Sequence, residues 1–330
     1  MKFYILSILI VLHIPISHVY ALDALLNQGT PDVFIKRTRS LMGTYATISL
    51  PQENNSQISS SFELVQKIED SLSTYNPDAT LSKLNKKHKV EYDTFLAESI
   101  ALSKSYYLET DGFFDITIGS ISKKLYHFGE EKTYSPSTAE LKKAHLNING
   151  IHIDKQTIQS DKNIVIDLGG IGKGYAVDKI ANYLKEQNIS KGIIALSGDI
   201  QCLNSCDIYL QSPYSDQTFA KVTSKSSYLS VSTSGTYRRY ATKPEEHHLI
   251  NPKTALQGRD FASVSLFTTA NNAKIDAYAT ALSVMPKAEA IAFLKENKDI
   301  GFVLVDKEGK ILYGNLTDIV AIEWLDYKET

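Results

Sequence analysis

Ile166-Asp-Leu-Gly-Gly-Ile-Gly-Lys-Gly-Tyr-Ala-Val-Asp178 is the stretch around which the chain is read. A strand-like apolar run, Ile164 to Ile166, leads in, and Asp167 ends it. Gly169, Gly170, Gly172 and Gly174 follow. A helix is predicted from about Tyr175, because Ala176, Ile180, Ala181 and Leu184 recur at helical spacing. Strand, glycine turn and helix N-terminus together make an anion-binding device. Glycines let the backbone approach closely, the free first-turn amides point outward, and the dipole favours negative charge. Lys173 adds a full positive charge. Two familiar phosphate motifs fail here. The pattern G-x-G-x-x-G meets Tyr175 at its last glycine, and a P-loop would need glycine at 167 and Ser or Thr at 174. From the residues alone, the segment is either a phosphate cradle or a tight turn with a satisfied aspartate.

Upstream, residues 34–50 alternate and are interrupted by Met42-Gly43-Thr44, which predicts paired strands. Helices are expected at 59–73, around Leu81 to Asn85, and at 94–110, the last stopped by Asp111-Gly112. Phe113 to Gly119 reads as a strand or loop, residues 120–150 as a helix with a surface loop, and Ile151 to Ile166 as a β-hairpin. Downstream, Gly192 to Asp199 reads as a buried strand ending in a turn, and strands are expected at 206–211, 218–222, 228–232, 261–268, 301–305 and 310–313. His247 to Pro252 reads as a strand ending in a turn. Asn272 is expected to cap a helix that Pro286 stops, with a further helix at 287–296. Strands outnumber helices without regular βαβ alternation, so the fold class is α+β, mostly antiparallel sheets flanked by helices, in one domain over 22–330.

The 330 residues carry 43% hydrophobic and 22% charged side chains, as a soluble globular protein does. A net charge of −2 gives no basic surface that would argue for nucleic acid. Residues 1–21 read as a signal peptide: Lys2, an apolar run from Phe3 to Leu12, then Val19-Tyr20-Ala21 with small residues at the cleavage positions. That implies export, with a bacterial periplasm as the expected location. In such an oxidising compartment Cys202 and Cys206 are expected to pair across a short loop.

Asp276 and Thr280 lie four apart on a predicted helix and so share a face. A carboxylate with a hydroxyl is hard oxygen chemistry, suited to Mg²⁺ that keeps waters and phosphate ligands. The pair is a weak signal when taken alone. His248 follows a second histidine, a context that is more often structural than catalytic. Ser232 to Thr236 offers hydroxyls but no nucleophile elbow, because position 232 is Ser rather than Gly.

Taken together these pieces resemble the FAD:protein FMN transferase family, the ApbE-like proteins. The matching stretches run in order from Met42 to about Met285. They are Met42-Gly-Thr44, Ser73-Thr-Tyr-Asn-Pro77 with Leu81 to Asn85, and Gly112-Phe-Phe-Asp115 with Thr117 and Gly119. Next come Asp167 to Tyr175 with Asp178, Ser197-Gly-Asp199, and Thr233-Ser-Gly235 with Arg238. His248 to Pro252 with Thr254, and Asp276-Ala-Tyr-Ala-Thr280, complete the series.

The resemblance implies a T-fold-like α+β domain that binds FAD and Mg²⁺. It implies FMN transfer from FAD to a Thr or Ser hydroxyl of an acceptor protein, with release of AMP. Asp276 and Thr280 become metal ligands, with a backbone carbonyl at Gly172 as the third. Met42, Thr74, Tyr75 and Asp115 fall where the family contacts FAD, Lys173 near its phosphates, and His248 at the proposed base. Tyr75 is positioned to stack on a flavin or adenine ring. An exported chain points to an acceptor that is a membrane redox subunit. Two other readings stand beside it: a hydrolase releasing FMN and AMP from FAD, which shares nearly every residue, and a non-enzymatic flavin-binding protein, against which Asp276, Thr280, Lys173 and His248 argue. The chain departs from the family with Gly172 for a common Ala, Asn251 for a frequent Asp, and Ala255 for a frequent Gly. The last two bear on the shape of the 251–258 loop.

Overall fold

The computed structural model describes residues 33–237 and 239–325. The expected leader, the polar arm after it and Arg238 lie outside them.

Strands β1 (Phe34–Leu41) and β2 (Thr44–Pro51) form the expected hairpin. Its two-residue turn, Met42-Gly43, has positive φ at both positions, 53° and 67°, which matches the right-handed twist of the flanking strands. Helices α1 (Asn55–Leu72), α2 (Thr80–Lys87) and α3 (Thr94–Glu109) follow, with the short strand β3 (Lys89–Glu91) between the last two. Ile58, Phe62, Val65, Ile68 and Leu72 keep one face of α1 buried.

The segment 113–150 holds only short helical turns, at 119–122, 138–141 and 148–150. Strands β4 (Ile151–Ile153) and β5 (Thr157–Ser160) form a hairpin that stops before Ile164. The run from Ile164 to Ile166 is therefore not a strand of that hairpin. Ile164 and Ile166 are buried, and Val165 makes a single bridge to Ile118. Three apolar residues in a row satisfied the strand pattern, but their burial serves a loop wedged between core elements.

Helix α4 (Gly172–Glu186) starts inside the glycine run, three residues before the expected Tyr175. Strand β6 (Ile193–Leu196) ends in the turn Ser197-Gly198 as expected, and β7 (Asp199–Cys202), which the sequence did not signal, follows it. Next come β8 (Asp207–Gln211), β9 (Thr218–Ser224), β10 (Leu229–Gly235) and β11 (Phe261–Thr268). Residues 247–252 are not a strand. His247 and Ile250 each make one isolated bridge, to Tyr240 and Gln257. Helices α5 (Asn272–Leu282) and α6 (Lys287–Glu296) precede β12 (Gly301–Asp306), β13 (Ile311–Gly314) and β14 (Val320–Trp324).

Eight strands make one antiparallel sheet in the order β1-β2-β6-β7-β10-β11-β12-β13. The helices cover one face of it, and Phe62, Ile180, Leu196, Leu266 and Leu282 share that core. The small sheet β14-β9-β8 covers part of the other face, through Val222, Val231, Phe267 and Val303. Covered on both sides, β11 is buried along its whole length. The expected α+β class with antiparallel sheets and flanking helices is what the chain adopts. Cys202 and Cys206 are joined as a disulfide. Among the described residues no helix is long and apolar enough to cross a membrane.

Candidate active site

The segment 167–174 is the spine of the site. Its C-terminal half lies against α5. A Cβ added to Gly170 would stand 2.8 Å from Thr280 Oγ1, and one added to Gly174 would stand 2.8 Å from the Asp276 Cβ and from the Asn272 carbonyl. Only glycine lets α4 and α5 approach this closely. Met42, in the β1–β2 turn, has its Cε 3.6 Å from the place a Gly172 Cβ would take. The turn, the glycine segment and one face of α5 thus meet at Met42, Gly172, Asp276 and Thr280.

Of the first-turn amides of α4, those of Gly172 and Gly174 are not free, contrary to expectation. Gly172 N–H donates to the Leu168 carbonyl at 2.8 Å, Tyr175 N–H to Ile171 at 2.9 Å, and Gly174 N–H to Asp276 Oδ2 at 3.0 Å. The helix N-terminus is therefore already capped by a carboxylate from α5. The reverse also holds. Asp178 of α4 accepts from the amides of Asn272 and Ala273, at 2.7 and 2.8 Å, at the start of α5. The expected cap, Asn272, is instead inside the helix, its side-chain amide donating to Ile200 and Val231 carbonyls. Burial raises the Asp178 carboxyl to about 6.

Lys173 is not free either. Its Nζ lies 2.7 Å from Asp199 Oδ2 and 3.5 Å from Asp276 Oδ2. Asp199, 1% exposed at the start of β7, also accepts from Ser232 Oγ at 2.6 Å. Burial works against the ammonium, but the two carboxylates outweigh it and hold Lys173 above its usual range. Burial, and then the Asp199 charge, push the Asp276 carboxyl up.

These residues fit a hard divalent cation. Both hydrogen bonds to the Asp276 carboxylate fall on Oδ2, and among the described residues neither Asp276 Oδ1 nor Thr280 Oγ1 has a hydrogen-bond partner. One carboxylate oxygen and one hydroxyl oxygen are thus left as donors next to the Gly170–Gly172 backbone. No group of three His, Cys, Asp or Glu side chains forms a metal cluster among the described residues, so an all-protein cage is not what the site offers. Few protein oxygens, with waters and phosphates completing the shell, is the Mg²⁺ pattern.

At the other end, Asp167 accepts from Ser122 Oγ at 2.8 Å and from Gly169 N–H at 3.0 Å. Lys123 Nζ is 3.9 Å from it. Burial favours the neutral acid, but Lys123, with those two donors and Arg239, holds the carboxyl below its usual range. Lys123 also donates to the Tyr75 hydroxyl at 2.8 Å and lies 4.1 Å from that ring's centre. The Tyr75 ring packs on Gly129, where a Cβ would overlap it, and is 51% exposed, so it keeps area for a flat ligand. Thr74 is half-buried beside it, in a turn whose amides at Tyr75 and Asn76 donate to Ser73 Oγ.

Asp115 is 8% exposed, and its Oδ1 accepts from both the amide and the hydroxyl of Thr117, at 2.7 Å each. Burial nonetheless raises its carboxyl. It fixes the loop that runs beside 165–170, since Asp167 N–H donates to the next carbonyl, that of Ile116.

His248 is half-buried, and its Nδ1 lies 3.2 Å from the Arg239 carbonyl. A carbonyl only accepts, so Nδ1 carries the proton and Nε2 is left as the basic nitrogen. Burial, and then the Arg239 charge, lower this imidazole to about 4. His247 is the structural partner. It is 3% exposed, bonds the Gly258 carbonyl through Nε2 at 2.9 Å, and is also lowered to about 4 by burial.

The structure therefore groups Met42, Gly172, Lys173, Asp276 and Thr280 at one end of the spine. Tyr75 and Asp167 stand at the other, both in contact with Lys123, whereas His248 makes no hydrogen bond to the segment among the described residues. Sequence reasoning had not assigned Asp199, Lys123 or Arg239. Asp199 carried one signal, its place in Ser197-Gly-Asp199 after an apolar strand; the two cations carried none.

The ApbE family model matches residues 42–304. An FAD:protein FMN transferase of Klebsiella pneumoniae (strain 342) is 26% identical over 284 residues, covering 82% of this chain and 89% of that protein. One of Escherichia coli (strain K12) is 26% identical over 301 residues, covering 81% and 83%. Among solved structures, the flavin transferase ApbE from Vibrio cholerae is similar with a TM-score of 0.71 at 22% identity, over 90% of this chain and 98% of that one. The ApbE protein of Thermotoga maritima gives 0.77 at 23%, over 86% and 97%. At such identities the structural likeness speaks to the fold.

Proposed function

The chain belongs to the ApbE family, and from that premise we propose that it transfers FMN from FAD to a Thr or Ser hydroxyl of an acceptor protein, releasing AMP. The observation that carries the reading is the gathering of Asp276, Thr280 and Lys173 onto the glycine segment. FAD carries its charge in a pyrophosphate, and phosphoryl transfer is accelerated mainly by positioning and by neutralising developing charge.

Asp276 Oδ1, Thr280 Oγ1 and the Gly172 carbonyl would hold Mg²⁺, which when bound supplies positive charge to the phosphoryl oxygens. Tyr75 and Met42 flank the segment and would orient the flavin end, while Asp115 keeps the adjoining loop in place. The acceptor hydroxyl attacks the phosphorus on the FMN side. A new phosphoester bond forms as the bond from that phosphorus to the bridging oxygen breaks, and the bridging oxygen leaves with AMP. The hydroxyl proton passes to Nε2 of His248, the nitrogen that its Nδ1–H bond to Arg239 leaves open. Neutral down to about pH 4, His248 is available as an acceptor at physiological pH.

The leader-like residues 1–21 support export, and with it an acceptor exposed outside the cytoplasm, such as a membrane redox subunit. Asp276→Ala tests the metal arm. Mg²⁺-dependent FAD turnover should be abolished with the melting transition retained. Unchanged turnover at limiting Mg²⁺ would remove Asp276 from the site.

A further inference from the structure

We infer that Asp199 is a positioning residue that keeps the Lys173 ammonium off Asp276, so that Asp276 can take a divalent cation. The inference rests on the cation reading of Asp276 and Thr280 and adds a residue to it. Lys173 Nζ lies between two buried carboxylates but not midway: 2.7 Å from Asp199 and 3.5 Å from Asp276. The shorter contact is a full charge-assisted hydrogen bond, and the longer one is at the edge of that range. Asp199 is held in place for this. Its Oδ1 accepts from Ser232 Oγ at 2.6 Å, which turns Oδ2 toward the ammonium. The anchor lies on a neighbouring strand, because β7 and β10 are paired across Val231 and Ile200.

An ammonium and a divalent cation compete for the same carboxylate. If Lys173 paired fully with Asp276, it would neutralise the one acidic metal ligand and leave a positive charge where a cation must enter. The triad carries one net negative charge in either pairing; by taking the ammonium on its own Oδ2, Asp199 leaves that charge on Asp276. It also leaves Asp276 Oδ1 open, since the contacts Lys173 and Gly174 make with that carboxylate both fall on Oδ2. Asp199 also contributes its own charge, and the test must separate the two effects.

The test is Mn²⁺ binding to the purified protein, read by electron paramagnetic resonance of free Mn²⁺, without FAD or turnover. Asp199→Asn keeps an oxygen for Ser232 and removes the acceptor for Lys173. It should weaken Mn²⁺ binding about 10-fold, because a unit charge then bears on Asp276 at contact distance. In the Lys173→Gln background the same substitution should weaken binding less than about 3-fold, since no ammonium remains to be held back. Ser232→Ala provides an arm that leaves every charge in place. It should weaken binding about 3-fold by freeing the Asp199 carboxylate to turn, and it reads the inference even if Lys173→Gln does not fold. An equal loss from Asp199→Asn in both backgrounds, or no loss from Ser232→Ala, would show that Asp199 acts by charge alone and would overturn the inference. Wild-type protein that binds no Mn²⁺ would overturn the cation site itself, a result distinct from either.

Discussion

Gly174 donates its amide hydrogen to Asp276 Oδ2 at 3.0 Å, so the carboxylate proposed to hold a cation is also the N-terminal cap of α4. Fold and site share one atom pair. The close approach depends on position 174 having no side chain, since a Cβ would stand within 2.9 Å of the Ala273 Cα. Gly174→Ala should push α4 off α5, lowering stability by about 1–3 kcal/mol as overpacking does. It should also lower Mn²⁺ affinity. A variant with unchanged melting temperature and unchanged Mn²⁺ binding would show that the contact is slack.

His247 predicts how stability varies with pH. Its folded-state value is lowered from 6.5 to about 4, so between those values the unfolded chain binds the extra proton first. Stability from this group is flat above about pH 6.5 and falls as the pH drops through 4, by roughly 3 kcal/mol in all. His247→Gln removes the titration. In urea unfolding, the stability difference between pH 7 and pH 4.5 should shrink by that order; a difference equal to that of the unsubstituted protein would contradict the assignment.

Ala255 sits at φ 58°, a left-handed conformation costly for a residue with a Cβ. The loop holds it there because Ala255 N–H donates to the Asn251 carbonyl at 2.8 Å and Asn251 Nδ2 donates to the Val284 carbonyl at 2.9 Å. The two departures at 251 and 255 therefore leave the loop formed. Ala255→Gly should relieve the strain at a smaller entropic cost, with a net gain of about 0.5–1 kcal/mol. Differential scanning calorimetry should show a rise of roughly 1–3 °C. A fall would mean that the unfolded-state entropy of glycine dominates.

His248→Ala should lower the transfer rate by roughly 10²–10⁴-fold, the usual size of a general-base contribution, with FAD affinity nearly unchanged. At saturating Mg²⁺ the rate should show no loss near pH 6.5, because the imidazole is lowered to about 4. An acid limb centred at 6.5 that disappears in the variant would mean that burial does not perturb His248.

Much of the fold was legible because periodicity survives where one face is buried. The hairpin from Phe34 to Pro51, strand β11 and helix α6 fall where alternation, apolar runs and Pro286 placed them. Ile164 to Ile166 and His247 to Ile250 failed for one reason: apolar residues can be buried without a neighbouring strand to pair with. Strand β14 was missed, since Val320 to Trp324 is exposed at three of its five positions, partly buried at a fourth, and carries no clean alternation. Within the site, Asp276 and Thr280 were legible as an i, i+4 pair. Lys173 was legible as a charge but not in its setting, because its partners lie 26 and 103 positions away and no local spacing signals them.

The most direct test of FMN transfer is intact-mass spectrometry of an acceptor protein incubated with this protein, FAD and Mg²⁺, with AMP measured in parallel. The expected result is a gain of one FMN phosphoester per acceptor on a Thr or Ser, with AMP release slow without acceptor and much faster with it. Equal AMP release with and without acceptor, and no mass gain, would contradict transfer and leave FAD hydrolysis as the activity.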